Sequence, residues 1–162
     1  MGAFGTRYHI IKMLGAGGMG AVYHAWDDEL GVAVALKVIK PEHLADATSA
    51  AELERRFKRE LVLARQITHK NVVRIHDLGE VGGIKYLTMP FIHGSDLSSL
   101  LRREGKLSVA KSLGFARQIL SGLSAAHAAG VVHRDLKPAN IMIDADDQAC
   151  IMDFGIACSG AI

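Results

Sequence analysis

Six residues near the start of this chain, Gly15-Ala16-Gly17-Gly18-Met19-Gly20, limit its fold more than any other feature, because of what stands on either side of them. Tyr8–Leu14 and Ala21–Trp26 are short runs rich in apolar and aromatic residues, which favour extended backbone over helix. A glycine cluster between two such runs reads as a hairpin, where residues without a Cβ supply the tight reversal. The same G-x-G-x-x-G spacing also lets bare backbone amides close over a phosphate chain. Taken alone, the cluster is open to either reading. Its flanks still exclude two nucleotide folds. A dinucleotide-binding fold starts a helix at its glycines, so that the helix N-terminus faces the pyrophosphate; here a strand follows. No Gly-Lys-Ser/Thr is present, so this is not a Walker-type phosphate loop either.

The rest of the chain is strands around one helix, then helices followed by short strands. Gly31–Lys40 is a third strand, ended by Pro41. Ser49–Ile67 changes to helical spacing, with Leu53, Phe57, Leu61 and Ala64 recurring every three or four residues. Val72–Leu78 and Ile84–Met89 fit two more strands, and Asp96–Arg103 a short helix. Ser108 caps a longer helix running to about Ala129, with Leu113, Ala116, Leu120, Leu123 and His127 near one stripe and Gly130 as its stop. Ile141–Ile143 and Ala149–Met152 form a hairpin around Asp144–Gln148. A boundary near Pro90–Gly94 divides a strand-rich lobe from a helical one, so the class is α+β.

Composition narrows the function classes. With 162 residues, 49% hydrophobic and 22% charged, the chain is globular. Nineteen basic against seventeen acidic side chains leave +2, so no basic field points to a nucleic-acid partner. Cys150 and Cys158 make neither a disulfide framework nor a zinc site, Cys150 reads as a small core residue of its strand, and a reducing cytosol is expected. No membrane segment or secretory signal is read, and the scattered histidines form no metal-binding pair.

Two further features carry chemistry. Ala35-Leu36-Lys37 puts a lysine inside an apolar strand. Such a lysine ordinarily reaches solvent; facing a nucleotide, it suits phosphate oxygens and needs a carboxylate to steady its stem. Glu52, Glu54 and Glu60 are available, and Glu60 is the best placed, in Phe57-x-x-Glu60-x-x-x-Ala64-x-x-Ile67 followed by His69-x-Asn71. Then His133-Arg134-Asp135-Leu136-Lys137-Pro138-Ala139-Asn140 is followed, thirteen residues after Asn140, by Asp153-Phe154-Gly155. Two ordered polar strings at that separation are not a solvated face.

On these residues the chain resembles the eukaryotic-like protein kinases, from about Tyr8 to its last residues. GAGGMGAVY is most similar to their bacterial serine/threonine branch. The resemblance implies a protein-kinase-like fold, with a small lobe over about 8–89, a hinge at 90–94 and a partial large lobe over 95–162. It implies ATP and Mg2+ as cofactors, and transfer of the γ-phosphoryl group to Ser/Thr hydroxyls of protein substrates in the cytoplasm. Asp135 is then the base, Lys137 its electrostatic partner, Lys37 with Glu60 the phosphate clamp, and Asn140 with Asp153 the metal ligands. The ATP site comprises Leu14, Gly15, Gly17, Gly18 and Gly20 in the glycine loop, Val22 and Ala35 over the base, Met89 behind it, and Pro90 and Ile92 in the hinge. Many relatives have glutamate where Pro90 stands; proline keeps the carbonyl, and Ile92 keeps the amide donor. Arg134 resembles kinases whose activation segment is steadied through an arginine–phosphate pair.

The match to a full kinase stops seven residues after Gly155, before any A-P-E segment or peptide-binding helices. The long helix is therefore expected to leave three or four apolar side chains exposed, forfeiting roughly 5–12 kcal/mol and loosening the second half of the chain. A non-catalytic module that binds nucleotide or a partner kinase is the alternative that this shortness raises.

Overall fold

The computed structural model describes residues 2–17, 20–39 and 50–154; the side chains of residues 50–54, 56, 57 and 60 are not among those described. The chain splits into two compact units, one drawn from Met1–Glu54 and Ile75–Phe91, the other from Arg55–Arg74 and Ile92–Ile162.

The first unit is a six-stranded antiparallel sheet in the order β1-β2-β3-β4-β6-β5. Its strands are β1 (Ala3–Phe4), β2 (Tyr8–Gly17), β3 (Gly20–Asp27), β4 (Val32–Ile39), β5 (Asp77–Val81) and β6 (Ile84–Pro90). Each reversal has a local cause. Gly20 pairs with Gly17 in the first hairpin at φ 140°, and a Cβ there would lie 1.8 Å from the Val38 carbonyl oxygen. At the β3–β4 turn the Asp27 carboxylate accepts from the amides of Glu29 and Leu30, and Gly31 takes φ 66°. Gly82 and Gly83, both at positive φ, make the two-residue β5–β6 turn. Arg7 then ties this edge together: its guanidinium lies 2.8 Å from the buried Asp27 carboxylate and 3.2 Å from that of Asp77.

One face of the sheet is the unit's core. Tyr8, Ala25, Val34, Leu36 and Tyr86 are buried there, with Phe4, Tyr23 and Val38 packed against them. Directly paired residues of an antiparallel ladder share a face, so the intervening residues of β3, β4 and β6 form the opposite face.

The second unit holds most of α1 (Ala50–Gln66), α2 (Leu97–Glu104), α3 (Val109–Ala128) and a three-stranded sheet of β7 (Gly94–Asp96), β8 (Ile141–Asp144) and β9 (Ala149–Ile151), in that order. Asp96 and Ser108 cap α2 and α3 by accepting from Ser99 and Lys111 amides. Phe115 of α3 packs with Leu100, Ile141, Ile143 and Ala149. A second cluster joins Ala126 of α3 to Ile67, Val72, Val131, Ile151 and Phe154.

Three expectations change. Val72–His76 is not part of a strand, which begins at Asp77. The backbone at 71–73 is bonded to β9 instead: Asn71 accepts from Ile151, and Val73 donates back to it. The expected stripe of α3 is mostly its outer face. Leu113 and Leu120 are 50% and 64% exposed, and Ala116 and His127 are exposed with them; among those five residues only Leu123 packs inward. Phe115, Gly122 and Ala126 face the core instead, with Gly122 close to the Asn71 carbonyl, where a Cβ would come within 2.9 Å. Cys150, expected as a small core residue, is only partly buried, and that burial pushes its thiol up to about 11. Pro41, Ser49 and Cys158 lie outside the described residues.

Candidate active site

The expected site residues fall into two sets, one in each unit. In the sheet, Val22 pairs with Lys37 and Lys37 with Leu87, while His24 pairs with Ala35 and Ala35 with Met89. These are adjacent rows on the face opposite the core. Strand alternation therefore gathers Val22, Ala35, Lys37 and Met89 onto one surface, from segments far apart in the chain. Lys37 is buried there at 6% exposure, between Val22 and Leu87 in its row.

The glycine loop continues this surface. Gly15 lies opposite Val22, and Leu14 sits in the irregularity between Met13 and Gly15, half exposed. Gly17 closes the hairpin against Gly20; Gly18 is outside the described residues. Pro90 is the last residue of β6, opposite Val34, and Ile92 begins the other unit. Glu60 lies in α1, but its side chain is outside the described set.

In the helical unit, 133–140 is held by a chain of directed hydrogen bonds. The buried His133 ring accepts the Asp135 amide at Nδ1 (3.2 Å), which fixes its tautomer. Its Nε2 accordingly donates to the Met152 carbonyl at 2.6 Å. The ring stands edge-on to Phe154, with centroids 4.7 Å apart. A 3-10 turn over Pro138–Asn140 then brings the Asn140 amide nitrogen back to the Asp135 carbonyl (2.8 Å) and carboxylate (3.3 Å). The Met152 N–H donates to the Asn140 carbonyl. Met152 thus bonds both ends of the segment through its backbone and sets the position of Asp153, the next residue. Arg134 and Asp153 both take positive φ, 66° and 60°, a strain that L-residues hold only where surrounding structure enforces it.

The electrostatics follow from Lys137. Its ammonium lies 3.1 Å from the Asp135 carboxylate. That hydrogen bond, its charge and the Asn140 amide hold the Asp135 carboxyl below the usual carboxylate range, so the group is ionised at neutral pH. The result is an anionic oxygen, half exposed, oriented by a cation and an amide. It can accept a proton from a hydroxyl.

The family model for the protein kinase domain matches residues 8–161. The chain belongs to the protein kinase family. The kinase domain is 43% identical over 150 residues to the serine/threonine-protein kinase PknD of Mycobacterium tuberculosis, covering 93% of this chain and 22% of PknD. It is also 43% identical over 157 residues to PknH of Mycobacterium bovis, covering 97% of this chain and 26% of that one. The crystal structure of the Mycobacterium tuberculosis PknI kinase domain superposes with a TM-score of 0.82 at 32% identity, over 96% of this chain and 62% of that kinase-domain chain. The fold is thus protein-kinase-like, of the bacterial serine/threonine type. The chain spans about a quarter of the length of these curated relatives. Among the described residues no helix is long and apolar enough to cross a membrane.

Two parts of this arrangement are not legible as site residues in the sequence. His133 stands in the motif string, but its work is to fix two backbones. Met152 acts only through its main chain, which no side-chain pattern reports.

Proposed function

We propose that this kinase domain transfers the γ-phosphoryl group of ATP, with Mg2+, to serine or threonine hydroxyls of proteins. The observation that carries this reading is the ionised Asp135 carboxylate, oriented by Lys137 and Asn140 and joined to Asp153 through Met152. In the reaction the substrate hydroxyl oxygen attacks the γ-phosphorus, the bond to the β-phosphate oxygen breaks, ADP leaves, and the hydroxyl proton passes to Asp135. Lys137 balances charge on the transferring group. In the sheet, Lys37 engages the α- and β-phosphates with Glu60 as its partner, and the glycine-loop amides of residues 15–20 cover the phosphates. Val22 and Ala35 lie over the adenine, with Met89 behind it. The Pro90 carbonyl and Ile92 amide read its edge.

The donor set fits magnesium. Because the Asn140 amide nitrogen is committed to Asp135, its amide oxygen is left as an acceptor, and with the Asp153 carboxylate it offers the hard oxygen ligands this ion prefers. Bound there, Mg2+ would neutralise phosphate charge. The reading also assigns the domain to the cytoplasm, where ATP is supplied.

Phosphate transfer to a generic basic protein, measured beside nucleotide binding in the full-length protein, tests the proposal. Transfer lost in Asp135→Asn and Asp153→Asn is the expected result. Nucleotide binding with no transfer in the unsubstituted protein would instead favour the non-catalytic module.

A further inference from the structure

The nucleotide face of the sheet carries a contact that the phosphate chemistry does not use. His24 of β3 and Phe91, just past the end of β6, stack face to face with ring centroids 3.9 Å apart and planes 10° from parallel. Their strands are not neighbours, because β4 lies between them. Two strand spacings separate their backbones, about 10 Å. The side chains meet because β4 presents small residues on this face. Ala35 pairs with His24, and Ala33 lies two residues back on the same side, next to Val34, which pairs with Pro90. A larger residue at either position would stand where the rings pass.

What the stack holds follows from covalent geometry. The carbonyl of Pro90 lies in the peptide plane before the Phe91 Cα, and the amide of Ile92 in the plane after it. Both groups assigned to the adenine edge therefore pivot on one residue. Pro90, without an N–H, cannot donate to the ladder at the end of β6, so the chain leaves the sheet with one fewer backbone tether. The ring contact supplies a tether there.

We propose that His24 and Phe91 are a positioning pair for base recognition: the stack fixes the Phe91 backbone so that the Pro90 carbonyl and Ile92 amide are presented together to the purine. This rests on the hinge reading given above. The pair touches no phosphate, so its influence is confined to the base end of the ligand.

The test compares Mg·ATP with inorganic tripolyphosphate, which shares the phosphates and lacks the base, by titration calorimetry on the full-length protein. His24→Ala is expected to weaken ATP binding about 2- to 10-fold, the range of an aromatic pair, while tripolyphosphate binding changes less than about 2-fold. His24→Phe, which restores a flat ring, should recover ATP binding; Phe91→Leu should copy the His24→Ala loss. Should His24→Ala fail to fold, His24→Leu fills similar volume without a π-face and is expected to show the same split. If the unsubstituted protein binds tripolyphosphate as tightly as ATP, the base-site reading itself fails. If it prefers ATP and the variants keep that preference in full, or lose both ligands equally, the positioning pair is overturned while the base site stands.

Discussion

The sheet face and the segment 133–140 hold their candidate site residues by opposite means. In the sheet, Val22, Ala35, Lys37 and Met89 come together because alternate residues of paired strands share a side. No directed bond at each residue is needed for that, and apolar packing on the other face keeps the register. In the segment 133–140 His133, Asp135 and Asn140 are fixed by directed hydrogen bonds, three non-glycine residues of the unit (Arg134, Asp147 and Asp153) sit at positive φ, and Asp135 and Lys137 are half exposed. The difference teaches where each region is fragile. The sheet should absorb conservative apolar exchange, whereas the segment should lose function at single-atom changes that leave the fold standing.

The sharpest check is Asp135→Asn. Replacing one oxygen by NH2 should lower phosphoryl transfer about 10³-fold, with an unchanged melting curve; a loss of stability of similar size would erase the contrast. The next largest effect is expected in the sheet, at the Arg7–Asp27 joint. Arg7→Ala strands the buried Asp27 carboxylate and should cost about 2–4 kcal/mol by denaturant unfolding, below the fully buried case because Arg7 is partly exposed. The pH dependence has a definite sign. Chiefly the hydrogen bond from Arg7 holds the Asp27 carboxyl below its ordinary 3.8. The joint's contribution is therefore complete above that value and is lost as pH falls through the lowered one. The gap between the original protein and the variant should close in acid and stay constant through neutrality.

A smaller effect belongs to Asn71, buried at 1% exposure and donating to the Ala149 carbonyl and to Gln118. Asn71→Ala should cost about 1–3 kcal/mol through the carbonyl left unpaired, read as a lower melting temperature. The smallest is on the outer face of α3. Leu113→Ser with Leu120→Ser should change stability by about 0.5 kcal/mol or less per site, and should reduce binding of a hydrophobic dye by the 162-residue chain. A large destabilisation would mean that this face is packed.

Much of the architecture was legible because strands and motifs announce themselves differently. The Val-, Ile- and Leu-rich run of β4 and the cap at Ser108 are local signals, and the elements appear where those signals stand. Apolar content without a partner's identity misleads. Val72 and Val73 look like strand but pair with β9. In α3, apolar residues lie on two sides, and periodicity cannot say which side meets the core. β1 and β7 are two and three residues long, too short for any pattern. The ordered polar string made Asp135 and Asn140 visible as site candidates. It could not show the His133–Met152–Asn140 link or the His24–Phe91 stack, which depend on main-chain geometry and on sheet order.

The role of Met152 has a consequence for how tolerant this stretch is to change. Its two contacts are made by N–H and C=O, groups that nineteen amino acids share and only proline lacks in part. In a saturation scan, position 152 should therefore behave as a quiet column between Asp153 on one side and the strand on the other, with proline as its one sharply excluded letter.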